Sequence, residues 1–149
     1  MYSQCLPTPC GTIVVKASGE GLHCVAFTTQ PVETNANQHT REAVRQLGEY
    51  FAGTRQQFSL TLAAAGTPFQ QQVWQALQSI AYGQTVSYGD IARHIDNPKA
   101  VRAVGMANGR NPLAIVVPCH RVIGSNKTLT GYAGGLERKA FLLKLEGAL

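Results

Sequence analysis

Cys119 stands in the segment VVPCHRVIG, at the end of the apolar run Leu113–Val117 and directly before His120 and Arg121. A thiol beside an imidazole and a guanidinium can be turned into a thiolate, and the thiolate is the nucleophilic form of cysteine. The opposite reading is as open: a free cysteine at the edge of an apolar run is commonly buried, and burial in apolar surroundings keeps it neutral and inert. Adjacent side chains of an extended strand point to opposite faces, so His120 can serve Cys119 only if the backbone turns there or a water bridges them. Pro118 is the residue that can break strand geometry at that point.

Metal chemistry is a poor fit to the spacing. No second cysteine or histidine lies within a few residues of Cys119-His120, and Cys5, Cys10, His23 and Cys24 do not form a usual zinc arrangement. The first sixty-seven residues carry four basic and four acidic residues, whereas residues 68–149 carry nine basic and four acidic ones. The net charge of +5 therefore sits in the second half, a footprint compatible with a polyanion such as DNA.

The elements around Cys119 follow from periodicity and punctuation. Thr12–Lys16 and Leu22–Phe27 read as strands joined by a turn at Ser18–Gly21, and Gln57–Leu62 alternates like a third. Between them Val44, Leu47, Tyr50 and Phe51 recur at helical spacing, with Gly53 as a stop signal. AAAGTP reads as a linker. Thr67-Pro68 then opens a helix whose stripe is Phe69, Val73, Trp74, Leu77 and Ile80, ending at Gly83. Ser87 caps a short helix through Ile91, Ala92 and Ile95, Asp96-Asn97-Pro98 turns, and a second helix carries Val101, Val104 and Met106. Such a pair has the form of a helix-turn-helix, and small residues (Ala100, Ala103, Gly105, Ala107) let the second helix approach another surface closely. Leu113–Val117 reads as a buried strand, interrupted by Pro118–Arg121 and resumed by Val122-Ile123. Thr128–Gly135 is a glycine-rich loop and Leu136–Leu145 a closing helix.

Taken together, PFQQQVWQAL, TVSYGDIA, NPKAVRAVGMANGRNP, VVPCHRVIG and GYAGGLERKAFLLKLEG resemble the O6-alkylguanine-DNA alkyltransferases from Pro68 to Gly147. The first 65 residues are similar to the family's N-terminal domain in element order and in the GEGLH turn. The resemblance implies an α/β protein: residues 1–65 as a ribonuclease H-like antiparallel sheet with a helix, and residues 66–149 as a helical, winged-helix-like DNA-binding domain holding the alkyl acceptor.

It also implies a reaction and a role for each site residue. Cys119 takes the alkyl group from O6-alkylguanine in duplex DNA, with activity on O4-alkylthymine left open. The thioether is not hydrolysed, so each molecule acts once. Glu146 orients His120, which draws the Cys119 proton through a water. Tyr88 donates to the guanine and crowds the 3′ phosphate so that the base rotates out of the stack. Arg102 fills the gap it leaves, while Ala103, Lys99 and Ser87 join Arg102 and Tyr88 at the DNA. Asn111 is the hinge between the recognition helix and the reactive segment. Tyr132 and Gly134 close the pocket, the Ala133 N–H meets O6, and the carbonyls of Cys119 and Val122 accept from the 2-amino group.

Three positions depart from the pattern. Asn108 stands where some relatives carry a larger apolar residue, which bears on tolerance of bulky alkyl groups. Ala133 replaces a serine but keeps its N–H. Some members bind zinc through two cysteines and two histidines; Cys5 and His23 match that set, Ser18 occupies a third position and a fourth is missing, so neither metal nor cofactor is implied. The start MYSQCLPTPC has no signal-peptide character and no apolar run reaches the roughly 18 residues of a membrane span, so a cytoplasmic monomer is expected. Three rivals differ in kind. A lesion-binding relative would lack the cysteine, a helix-turn-helix regulator would need a set of major-groove contacts, and a Cys–His hydrolase would turn over.

Overall fold

Three strands open the chain: β1 (Tyr2–Thr8), β2 (Gly11–Ser18) and β3 (Gly21–Thr28), paired antiparallel in that order. They are seen in a computed structural model that describes residues 1–149. The chain divides into two units, Met1–Ala65 and Gly66–Leu149. In the first, β2 supplies the core with Ile13, Val14, Val15 and Ala17, and β3 adds Leu22 and Val25. β1 has no apolar alternation that announces a strand. It forms because β2 pairs with its whole length, from Tyr2 opposite Ala17 to Thr8 opposite Gly11, and its edge position tolerates Pro7.

Helix α1 (Gln38–Phe51) lays Ala43, Leu47 and Tyr50 on this unit's core. Asn37 caps it, accepting from the Thr40 N–H at 2.9 Å while the Thr40 hydroxyl accepts from the Asn37 N–H at 3.0 Å. The strand expected at Gln57–Leu62 is not a regular one: only Leu62 bridges, to Leu22. The physical reason is Gln46, whose buried amide takes the backbone of Ser59 on both sides, N–H at 2.8 Å and carbonyl at 3.0 Å. A side chain occupies the place of a neighbouring strand. Gly21 is required where it stands, because a Cβ there would lie 2.7 Å from the Thr61 carbonyl oxygen.

In the second unit α2 (Pro68–Leu77) begins as the Thr67-Pro68 pair predicts, with Thr67 and Gln70 forming a capping box. Val73, Trp74, Leu77 and Ile80 are buried. The helix ends at Leu77, before the expected Gly83: Ser79 donates its hydroxyl to the Ala76 carbonyl at 2.6 Å, and the backbone tightens through Ile80. Gly83 (φ +81°) serves the following turn instead.

Helices α3 (Tyr88–His94) and α4 (Val101–Gly109) pack on each other and on α2, with Ser87 as the N-cap of α3. The Trp74 indole N–H donates to the buried Ala107 carbonyl at 2.9 Å and ties α2 to α4. A two-residue strand β4 (Val86–Ser87) pairs parallel with β5 (Val122–Ile123), setting the start of α3 beside the segment that follows Cys119. The unit closes with α5 (Leu136–Leu145). No helix is long and apolar enough to cross a membrane.

Leu113–Val117, expected as a buried strand, is not one. It is buried at Leu113, Ile115 and Val117 but folds back on itself, with the Val117 N–H on the Leu113 carbonyl at 2.9 Å and Ile115 at φ +71°. Asn111 explains the turn. Its amide donates to the carbonyls of Val117 at 2.8 Å and Leu113 at 3.4 Å, and its oxygen accepts from the Leu113 N–H at 3.0 Å. One side chain thus satisfies groups that a strand would offer to a neighbour. A β-branched residue at positive φ is strained, and the strain sits four residues before Cys119.

Candidate active site

Cys119, His120 and Arg121 form a single 3₁₀ turn, all three buried. The backbone therefore does turn at Pro118, and strand alternation does not separate the cysteine from its neighbours. His120 has no exposed surface, and its Nε2 lies 2.7 Å from Oε2 of Glu146, the C-cap residue of α5. A carboxylate accepts, so Nε2 carries the hydrogen and Nδ1 keeps its lone pair. Nδ1 is buried and has no protein partner. Burial above all holds the imidazole pKa below its ordinary 6.5; Glu146 opposes this, and the charges of Arg121 and Lys139 add to it. The ring is thus a neutral base with one free nitrogen.

Glu146 is itself gripped. Arg121 donates Nε to Oε1 at 2.8 Å and Nη2 to Oε2 at 3.1 Å, and its Nη1 donates to the Ile80 carbonyl at 2.7 Å. The guanidinium also lies 5.7 Å from the centre of the Tyr82 ring. Burial pushes the Cys119 thiol pKa up, against a hydrogen bond from Asn111 and the positive charge of Lys139, which lower it. The cysteine is therefore a protonated thiol at rest that needs a base to become a nucleophile.

The other sequence-predicted residues fall into two groups. Near the reactive turn, Tyr88 is half-buried at the start of α3; its hydroxyl donates to the Thr130 carbonyl at 3.2 Å and accepts from the Thr130 hydroxyl at 3.3 Å. Tyr132 and Gly134 are half-buried and Ala133 exposed on the same loop. Both carbonyls assigned to the guanine amine already hold a protein donor, Asn108 Nδ2 on Cys119 at 3.4 Å and Lys139 Nζ on Val122 at 2.6 Å. Each retains a second lone pair. On α4 and the turn before it, Lys99, Arg102 and Ala103 are exposed, on the side opposite buried Val104, Ala107 and Asn108. In the first unit, the Ser18 hydroxyl and His23 Nε2 lie 2.8 Å apart.

The comparisons with known proteins identify the family. The family model described as "6-O-methylguanine DNA methyltransferase, DNA binding domain" matches residues 68–148, and its "ribonuclease-like domain" matches residues 1–64. The chain belongs to the 6-O-methylguanine DNA methyltransferase family. It is 51% identical to the methylated-DNA–protein-cysteine methyltransferase of Methanosarcina acetivorans over 155 residues, covering 99% of both chains. It is 60% identical to the constitutive enzyme of that name from Bacillus subtilis over 120 residues, 80% of this chain and 73% of that one. The crystal structure of Mycobacterium tuberculosis OGT in complex with DNA matches with a TM-score of 0.91 at 45% identity, covering 99% of this chain and 94% of that one.

Two residues of this candidate site are not singled out by residue type and spacing. Arg121 is read there only as a nearby positive charge, and Lys139 has no role at all. Their signal lies in α5 and its cap: Lys139, Leu142, Leu143 and Glu146 are spaced as one helical stripe, and all four are buried. Two charged residues on an apolar stripe mark a polar network within the core.

Proposed function

We propose that this chain repairs O6-alkylguanine in duplex DNA by direct reversal, with Cys119 as the irreversible acceptor. The observation that carries the reading is the buried His120–Glu146 pair at 2.7 Å, joined to Cys119 within one turn of backbone. His120 Nδ1 takes the thiol proton through a bridging water. The thiolate sulfur attacks the alkyl carbon, an S–C bond forms as the C–O6 bond breaks, and the guanine anion leaves. Tyr88 supplies a proton or hydrogen bond to that anion. The thioether has no route back to thiol, so the reaction is stoichiometric.

The DNA side of the reading rests on α4. Arg102 is exposed beside Ala103 on α4, where the small Ala103 side chain lets the helix come close to a duplex and the long Arg102 side chain is of the type that enters a minor groove. Minor-groove readout is nearly blind to sequence, which suits a protein that must find a lesion anywhere. The acid–base chain lies within Gly66–Leu149 of one chain, so one copy suffices.

Incubation with a duplex containing O6-methylguanine, followed by peptide mass spectrometry, tests the proposal. One methyl group on Cys119 and an equal amount of restored guanine are expected. Intact lesions beside an unmodified Cys119 would falsify it.

A further inference from the structure

We propose that Tyr82 is a positioning residue for the transfer, its ring holding Arg121 against Glu146 while His120 carries the thiol proton; this rests on the reaction proposed above. The turn after α2, residues 80–83, touches both halves of the Arg121–Glu146 pair. On the arginine side, the Ile80 carbonyl accepts from Arg121 Nη1 at 2.7 Å, and the guanidinium carbon lies 5.7 Å from the centre of the Tyr82 ring. On the carboxylate side, the Tyr82 hydroxyl donates to the Leu145 carbonyl at 3.4 Å. Next to it, a Cβ on Gly83 would lie 3.2 Å from the Glu146 carbonyl oxygen, and the φ of +81° also favours glycine. One stretch of backbone thus spaces the cap of α5 from the Cys119–Arg121 turn, although Arg121 and Glu146 are 25 residues apart in sequence.

The demand on this frame rises during the reaction. At rest His120 is neutral, and Glu146 balances the charge of Arg121. Once the thiol proton reaches Nδ1, an imidazolium and a guanidinium stand against one carboxylate and repel each other, with the charge of Lys139 adding to the repulsion. Arg121 is 6% exposed, so solvent does little to screen it. A guanidinium pushed off Glu146 would leave the carboxylate unbraced, and His120 would lose its fixed orientation. An aromatic face carries negative potential and attracts a cation that has shed its water. The Tyr82 ring and the Ile80 carbonyl supply that attraction beyond Glu146. The phenol itself stays uncharged, because burial first and the Glu146 charge second push its pKa above the ordinary 10.

Single-turnover methyl transfer in the full chain and two variants tests the inference. Tyr82→Leu removes the ring and is expected to slow the transfer step roughly tenfold, the scale of one desolvated cation–π contact. Tyr82→Phe keeps the ring and should hold the rate within about twofold of wild type, since a hydroxyl contact at 3.4 Å is weak. The duplex concentration at half-maximal rate should stay within about twofold in both variants, because no phosphate contact is removed. A native rate in Tyr82→Leu, or an equal loss in Tyr82→Phe, overturns the inference. The His120 Nε2–H proton gives a readout independent of the reaction: by NMR it should exchange with water faster in Tyr82→Leu than in wild type or Tyr82→Phe. Slowed transfer beside an unchanged Nε2–H signal overturns the positioning role. If Tyr82→Leu does not fold by circular dichroism, Tyr82→Met replaces it in both measurements. Methylation of Cys119 in the wild-type control separates the two levels. Its absence rejects the proposed reaction and leaves Tyr82 to be judged by the NMR comparison, whereas its presence with a native rate in Tyr82→Leu rejects only the role of Tyr82.

Discussion

Arg121 holds Glu146 by both carboxylate oxygens, Nε to Oε1 at 2.8 Å and Nη2 to Oε2 at 3.1 Å, and Oε2 is also the atom that orients His120. The base is therefore positioned by a carboxylate that is positioned in turn, with all three side chains out of water. Such a triad is sensitive to the loss of any one charge, because the partner left behind is buried and uncompensated.

Glu146→Gln keeps the shape and removes the charge. It should lower stability by about 3–5 kcal/mol, as expected when one member of a buried ion pair is removed. Transfer should slow by at least about 100-fold, the lower end of what a positioned general base contributes. Denaturant unfolding and single-turnover kinetics measure the two effects separately. A variant with native stability and rate would show that the carboxylate neither braces Arg121 nor orients His120.

The pH dependence follows from the two opposite shifts. His120 stays neutral below its ordinary 6.5 and Cys119 stays protonated above its ordinary 9.0. Between pH 6.5 and the Lys139 pKa of about 8 the thiol and imidazole exchange one proton internally while the nearby charges stay fixed, so the transfer rate should be flat over that range. Stability has its own acid limb. Because the folded His120 pKa lies below the unfolded one, the unfolded chain binds the extra proton first as pH falls. The His120 contribution is complete above pH 6.5 and is lost progressively below it. His120→Gln should remove that part of the slope in pH-dependent melts; an unchanged slope would assign it to other groups.

Arg102→Ala separates base extrusion from chemistry. Arg102 is exposed on α4 and is remote in sequence from the reactive turn. Repair of duplex should fall far more than reaction with the free O6-alkylated base, which needs no extrusion. Equal losses in the two assays would remove Arg102 from the extrusion step.

Trp74→Phe tests the frame that holds α4. It deletes the indole donor and leaves the Ala107 carbonyl with the Arg110 N–H at 3.2 Å. Loss of about 0.5–1.5 kcal/mol is expected for one hydrogen bond removed from an acceptor that keeps a second donor, lowering Tm by several degrees. Transfer below the new Tm should remain measurable, because Trp74 touches none of the reacting atoms.

Much of the frame was legible in the residues. Thr67-Pro68 and Ser87 start their helices as their side chains dictate, since capping depends on a few adjacent atoms. Periodicity located α1, α4 and α5 for the same local reason. The misjudged segments are those settled by distant groups. β1 exists because β2 pairs with it, while Gln57–Leu62 is kept from a ladder by Gln46. Leu113–Val117 turns because Asn111 takes its backbone groups.

At the site, the sequence by itself determined the candidate nucleophile, the imidazole beside it and the basic half of the chain, because those are properties of residue type and order. Residue type and spacing alone left open whether the cysteine is an inert core thiol or a poised one, and the resemblance of the surrounding segments assigned it as the acceptor. Burial alone argues for inertness, and the thiol is indeed buried. Tertiary structure supplied the surroundings that the poised reading needs, bringing Glu146 and Arg121 around His120 and Lys139 beside the reactive segment, across 17 to 26 residues of chain. A buried charge is stable only where its partners converge from elsewhere in the chain, and convergence is a property of the fold.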